Sequence, residues 1–228
     1  MPVELIALHS ETLFTLDERG DMLMSNEPFA PCRKRATRLY LGWNESGSVA
    51  RFRNDIDEET RDRFRHWLAD RMLAPHRSPD GLDDLCSLFG VPVAEARFGP
   101  AYMMREASTV NSSAVVIDRS NADLLPVGSL VEGEIDHIDP SFMVIRNGGS
   151  VSTCLTVRLT DRSIEAGVDT LEAHRGQGYA VESTAAWVNA SLDADLIPFY
   201  STSEDNVASQ RVAEKVGFTW FATELGIP

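Results

Sequence analysis

Hydrophobic and polar positions alternate in short runs over the first ninety residues. Leu13-Phe14-Thr15-Leu16, the polar turn Asp17-Glu18-Arg19-Gly20 and Met22-Leu23-Met24 read as a hairpin. A second hairpin is predicted from Arg38 to Trp43 and from Val49 to Phe52, with Asn44 to Ser48 between its arms. Asp57-Glu58-Glu59 then places acids in the first turn of a helix, where the backbone dipole favours them. Phe64, Trp67, Leu68 and Met72 recur at helical spacing as one apolar stripe. Arg61, Arg63, Arg65 and Arg71 lie mostly off it, as on a solvated face. Ser78-Pro79-Asp80 reads as the start of another helix, with Ser78 as its cap, and Gly90 ends it.

The stretch from Val91 to Pro100, with two prolines and a glycine, marks a soft boundary, which we place between residues 98 and 99. Beyond it β-rich runs appear at Ser113–Ile117, Phe142–Ile145, Val151–Val157 and Ser163–Leu171. Arg146-Asn147-Gly148-Gly149-Ser150 is a hairpin turn between the second and third of these. A helix over Gln177–Leu192, a buried strand over Leu196–Tyr200 and a helix over Asn206–Val216 follow. Strands alternating with helices predict an α/β sheet with parallel character.

Net charge narrows the partners. Thirty-five acidic residues against 21 basic ones leave −14, which argues against a nucleic-acid backbone binder and favours a cationic substrate. Cys32, Cys86 and Cys154 are an odd, scattered set, fitting neither a disulfide framework nor a metal knuckle. The five histidines show no ligand spacing, so no metal is expected. The start carries no basic, apolar leader pattern, and no run approaches the ~18 apolar residues of a membrane helix. The expectation is a cytoplasmic protein that binds neither membrane nor nucleic acid, of undetermined oligomeric state.

The segment that carries chemistry runs from Val168 to Ala180, where a strand ends, Gly176 and Gly178 flank Gln177, and a helix begins. Glycines let backbone approach a ligand closely, and the first N–H groups of a helix have no partner within it. Together they make a cradle for an anion such as a pyrophosphate, with Arg175 at its mouth. The spacing is neither that of a Walker loop nor of a dinucleotide fingerprint. Taken alone, the two glycines fit a tight structural turn equally well.

A second motif follows about thirty residues on, as Asn206-x-x-Ser209 and then Lys215-x-Gly217-Phe218. Arg175-x-x-Gly178-x-Ala180 resembles the acetyl-CoA signature of the GNAT acyltransferase superfamily, and the second segment resembles that family's later motif. The resemblance runs from about Val151 to Phe218 and extends more weakly to Ser113. Ile164–Thr170 with Phe199–Ser203 is similar to a bacterial subgroup that carries an N-terminal extension. The resemblance implies a mixed, splayed α/β sheet flanked by helices over residues 99–228, with a small α+β extension over 1–98.

It also implies an acetyl-CoA-dependent N-acetyltransferase acting on a small-molecule or protein amine. Val168 and Thr170 would bond the pantetheine arm, and the Val168 N–H would polarise the thioester carbonyl. Arg175, Gly176, Gln177, Gly178, Tyr179 and Ala180 would hold the pyrophosphate. Asn206 and Ser209 would lie near the thioester; Asn206 is equally good as a helix cap. Glu165 is the candidate base, with a structural pairing to Arg158 or Arg162 as the alternative. Many members carry a tyrosine where this chain has Ala213, so Tyr200 becomes the candidate acid, with Tyr179 reading as loop packing. That departure keeps open a non-catalytic, acyl-CoA-binding or regulatory module. Cys154 reads as a small buried hydrophobe. Asp118, Asp123, Glu132, Glu134, Asp136 and Asp139 form an acidic stretch where the family places its substrate-facing helices.

Overall fold

The computed structural model describes residues 1–130 and 133–228. The chain opens with helix α1 (Glu4–Leu13) and a two-stranded hairpin, β1 (Phe14–Leu16) and β2 (Met22–Ser25). A second hairpin, β3 (Leu39–Asn44) and β4 (Gly47–Phe52), leads to α2 (Glu58–Ala69), whose Asp57 cap accepts from the Thr60 N–H. Then come α3 (Leu82–Leu88), β5 (Arg97–Met103), β6 (Val115–Val116), β7 (Phe142–Arg146), β8 (Gly149–Leu159) and β9 (Ser163–Thr170). The chain closes with α4 (Tyr179–Asp193), β10 (Ile197–Ser201), α5 (Val207–Val216) and β11 (Thr219–Ile227).

Nine strands form one mixed sheet in the order β4-β3-β11-β5-β10-β9-β8-β7-β6. The boundary expected between residues 98 and 99 falls inside β5, and β3 and β4 join the same sheet through β11. Strand periodicity divides the core. Leu39, Leu41 and Trp43 of β3 pack with Phe64, Trp67, Leu85 and Cys86 of α2 and α3. Tyr40, between them, packs on the other face with Leu5, Ile6 and Leu8 of α1. Tyr102 and Tyr200 join the α4–α5 layer, while Met103 and Phe199 join α1. Four helices therefore cover one face and α1 crosses the other.

Two local expectations need correction. Met72 lies beyond the end of α2 and is 96% exposed, because the helix stops at Ala69 before the stripe completes another turn. The next helix starts at Leu82 with Gly81 as its cap in a left-handed conformation, not at Ser78. Neither α1, β5 nor β11 was legible as an element. Among the described residues no helix is long and apolar enough to cross a membrane.

Candidate functional site

Strand β9 pairs with β8 from Ile164 to Thr170, but with β10 only over Ser163–Glu165, opposite Ile197–Phe199. Beyond that point the two parallel strands part. Residues 166–170 have no strand on their β10 side, while Phe199–Ser201 turn to β5. The loop after β10 cannot fall back into the gap. It runs along β5, with the Thr202 and Glu204 N–H groups donating to Pro100 and Phe98 carbonyls. A Cβ on Gly99 would sit 1.9 Å from the Thr202 oxygen, so this approach demands a glycine there. The result is a notch between β9 and β10 that opens toward the 171–178 loop.

At its open end, Gly176 (φ 75°) and Gly178 (φ 89°) take the left-handed conformation, and a Cβ at either would meet nothing within 4 Å. The N–H groups of residues 176–181 donate to no acceptor among the described residues. Exposed, unpaired amides at the start of a 15-residue helix suit an anion. Arg175 pairs with no acid among the described residues; its Nε donates to the Thr170 carbonyl at 3.1 Å. Gln177 donates weakly to the Ala173 carbonyl at 3.4 Å, and Tyr179 lies under the Arg146 guanidinium, 4.6 Å from ring centre. Val168 and Ala180 flank the notch and the cradle respectively, and Thr170 Oγ1 bonds Ser152 Oγ at 2.8 Å.

At the first turn of α5, the Asn206 side chain accepts from the Ser209 N–H at 3.1 Å, so Asn206 is the cap. Tyr200 Oη lies 2.7 Å from Ser209 Oγ. Burial pushes this phenol up to about 12, against the lowering effect of Ser209, so it stays protonated at neutral pH. Ala213 is fully buried in the core beside it.

Glu165 is the last β9 residue opposite β10 and is buried. Its partner is neither Arg158, which pairs with Glu27 at 3.1 Å, nor Arg162. Oε1 accepts from the Ser201 N–H at 2.8 Å and hydroxyl at 2.7 Å, and Oε2 lies 2.9 Å from His9 Nε2. The other nitrogen of His9 is 2.6 Å from Glu224 Oε1, which Tyr40 Oη also contacts. Burial alone would lower the imidazole's pKa, but Glu224 and Glu165 outweigh it and raise it to about 10. Sequence reasoning missed His9. The available signal was the apolar spacing of Leu5, Ile6, Leu8 and Leu13 around it, the stripe of an unrecognised helix.

Other candidates fall outside the notch. Cys154 is fully buried and burial pushes its thiol well up. Among its described residues the acidic stretch holds two single 3-10 turns, Ala122–Leu124 and Glu134–Asp136, and no α-helix. Asp136 there pairs with Arg119 and His137 stacks on Phe29, while Glu132 lies outside the described residues. A cavity of about 500 Å³ beside it is lined by Glu27, Cys32, Lys34, Glu134 and Arg158, with none of the cradle residues. No group of three metal-ligating side chains occurs among the described residues.

Residues 141–223 match the family model for GNAT acetyltransferase. The match takes in the notch, the cradle and the first turn of α5, and acyl transfer is the chemistry common to that family. No curated protein matches the sequence. Among solved structures, the chain is similar to a GCN5-related N-acetyltransferase from Sphaerobacter thermophilus (14% identity, TM-score 0.48, covering 78% of this chain and 70% of that one). It is also similar to a GCN5-related N-acetyltransferase-like protein from Streptococcus suis (21%, 0.47, 63% and 66%) and to a GCN5-related N-acetyltransferase from Kribbella flavida (19%, 0.45, 65% and 64%). The chain thus spans just under two thirds of the length of the latter two.

Proposed function

We propose that this chain transfers an acetyl group from acetyl-CoA to an amine. The observation that carries this reading is the notch joined to the cradle: a strand-wide gap beside residues 166–170 that leads directly to unpaired amides at 176–181. A bound acyl-CoA supplies an activated thioester. Of this chain's residues, those at 176–180 hold the pyrophosphate through main-chain N–H groups, and Val168 offers its main chain to the arm. The Thr170 carbonyl is already engaged by Arg175, so Arg175 fixes the strand end rather than the ligand.

In the reaction the amine nitrogen forms a bond to the acyl carbon and the carbon–sulfur bond breaks. Tyr200 is the acid: its phenol gives its proton to the departing thiolate and regains one from solvent. Glu165 is committed to three donors and buried, so the amine proton leaves to water. The rate then rises with pH up to the acceptor's own pKa. Asp169, Glu172, Glu204 and Asp205 are exposed around the notch and favour a cationic amine. A cytoplasmic location suits the free thiols and the co-substrate.

The test is calorimetry with acetyl-CoA followed by released-thiol assays over an amine panel. Binding and turnover support the transferase. Tight binding without turnover on any amine favours a non-catalytic acyl-CoA-binding module, for which the buried Ala213 is the supporting feature. No binding overturns both.

A further inference from the structure

His9 sits on α1, in the segment that carries no part of the acyl-CoA motifs, yet it contacts the closed end of the notch. Its ring lies between Phe199 of β10 and Phe221 of β11, with centroids 4.6 and 5.5 Å away. Each ring nitrogen faces a carboxylate: Glu165 of β9 at 2.9 Å and Glu224 of β11 at 2.6 Å. An ionised carboxylate only accepts, so a ring bonded at both nitrogens to two of them donates from both and is an imidazolium. Tyr40 of β3 closes the group through Glu224, and Arg51 of β4 stands beyond it, donating to Ser10 and pairing with Glu11. Among the described residues these are the titratable and charged side chains grouped about His9 on the elements packed on it.

The geometry has a consequence for the site. Glu165 and Phe199 are the last paired residues before the strands separate. One carboxylate oxygen of Glu165 holds His9; the other receives both the N–H and the hydroxyl of Ser201, the end residue of β10. We propose, resting on the acyl-CoA reading above, that His9 is a positioning residue of that site: it holds Glu165 so that Ser201 is pinned where β9 and β10 part. The N-terminal helix is then a component of the binding notch. A neutral ring keeps one donor; with Nδ1–H held by Glu224, the closer carboxylate, the Nε2 lone pair faces Glu165 and pushes that side chain off the position that pins Ser201.

The predicted signature is a pH-dependent affinity. Acetyl-CoA binding is measured by calorimetry from pH 7 to 10.5 in the unmodified protein, while the ¹⁵N shifts of the His9 imidazole report its protonation. Affinity should hold through neutral pH and fall about tenfold, a typical site-to-site coupling, in step with His9 deprotonation. His9→Gln should bind about tenfold more weakly at pH 7.5 and lose the pH dependence. Thr12→Val serves as the control: it removes a buried hydrogen bond from the same helix to β9, Thr12 Oγ1 to Ser163 Oγ at 2.6 Å, and should keep both affinity and profile. Should His9→Gln not fold, the titration of the unmodified protein decides alone. An affinity that ignores His9 protonation overturns the positioning role while leaving the acyl-CoA reading intact. Equal losses in His9→Gln and Thr12→Val, with no pH step, also overturn it. Absence of any acetyl-CoA binding to the unmodified protein overturns both.

Discussion

The cradle at the start of α4 and the cluster beneath α1 handle charge in opposite ways. The cradle is exposed, made of main-chain amides, and nearly free of committed side chains: Arg175 bonds back to the strand and Tyr179 packs under Arg146. The cluster is largely buried and built from side chains, two carboxylates, one imidazolium and a phenol, with one main-chain group, the Ser201 N–H, on Glu165. Exposed helix-end amides offer an anion positive potential without a lysine patch, even in a protein of net charge −14. The buried imidazolium does a different task, joining Glu165 of β9 to Glu224 of β11. The comparison separates binding by backbone from positioning by side chain, and each half is open to a separate attack.

The largest effect is expected at the cradle. Gly178→Glu forces a β-carbon onto a residue with φ 89° and places a carboxylate in the space where a pyrophosphate would lie. Acetyl-CoA affinity should fall by more than about 100-fold by calorimetry, the combined cost of strain and like-charge repulsion. Retained affinity would refute a backbone-built anion site. Next comes Tyr200→Phe, which leaves the ring packed on Phe218 and removes only the hydroxyl. Turnover should drop about 100-fold with the KM for acetyl-CoA unchanged, as for loss of a general acid. Because the phenol is pushed up to about 12, the unmodified enzyme should show no loss of activity from Tyr200 ionisation below pH ~11. An unaltered rate in Tyr200→Phe would move the acid elsewhere.

The cluster should reveal itself in stability. His9 has its pKa raised from 6.5 to about 10 in the folded chain, so its ion pairs contribute fully below pH 6.5 and are lost as pH rises through 10. Thermal denaturation of the unmodified protein should therefore show a falling Tm across that window. The fall should be shallower in His9→Gln, and the difference between the two curves removes the general repulsion of an acidic chain. Parallel curves would mean that the imidazole is neutral in the fold.

The two regions were also unequally legible in the amino-acid sequence. Cradle and cap are local: Arg175 to Ala180 lie within six consecutive residues, and Asn206 caps Ser209 three residues on, so spacing alone points to them. The cluster joins positions 9, 40, 165 and 224, and no window of the chain holds two of them. Its members meet only because α1 crosses the open face of the sheet and β11 returns beside β3. Strand β5 was hidden for a related reason. Arg97-Phe98-Gly99-Pro100 carries the residues that normally end a strand, but Gly99 serves the close approach of the Thr202 carbonyl and Pro100 pairs with β11 inside the sheet. Tertiary demand overrode local signal there.

The smallest and most discriminating change is Asn206→Asp, which sits between the two modes. Asn206 Oδ1 accepts the Ser209 N–H, while its amide donors have no partner among the described residues. Aspartate keeps the acceptor, caps a helix as well as asparagine does, and adds a charge that the start of α5 favours. Stability should therefore stay within about 0.5 kcal/mol by chemical denaturation. If the amide also donates to the ligand, acetyl-CoA affinity should fall about two- to tenfold, the worth of one hydrogen bond. An unchanged affinity would make Asn206 a cap and nothing more, leaving the main chain at 176–180 and Val168 to hold the co-substrate without help from α5.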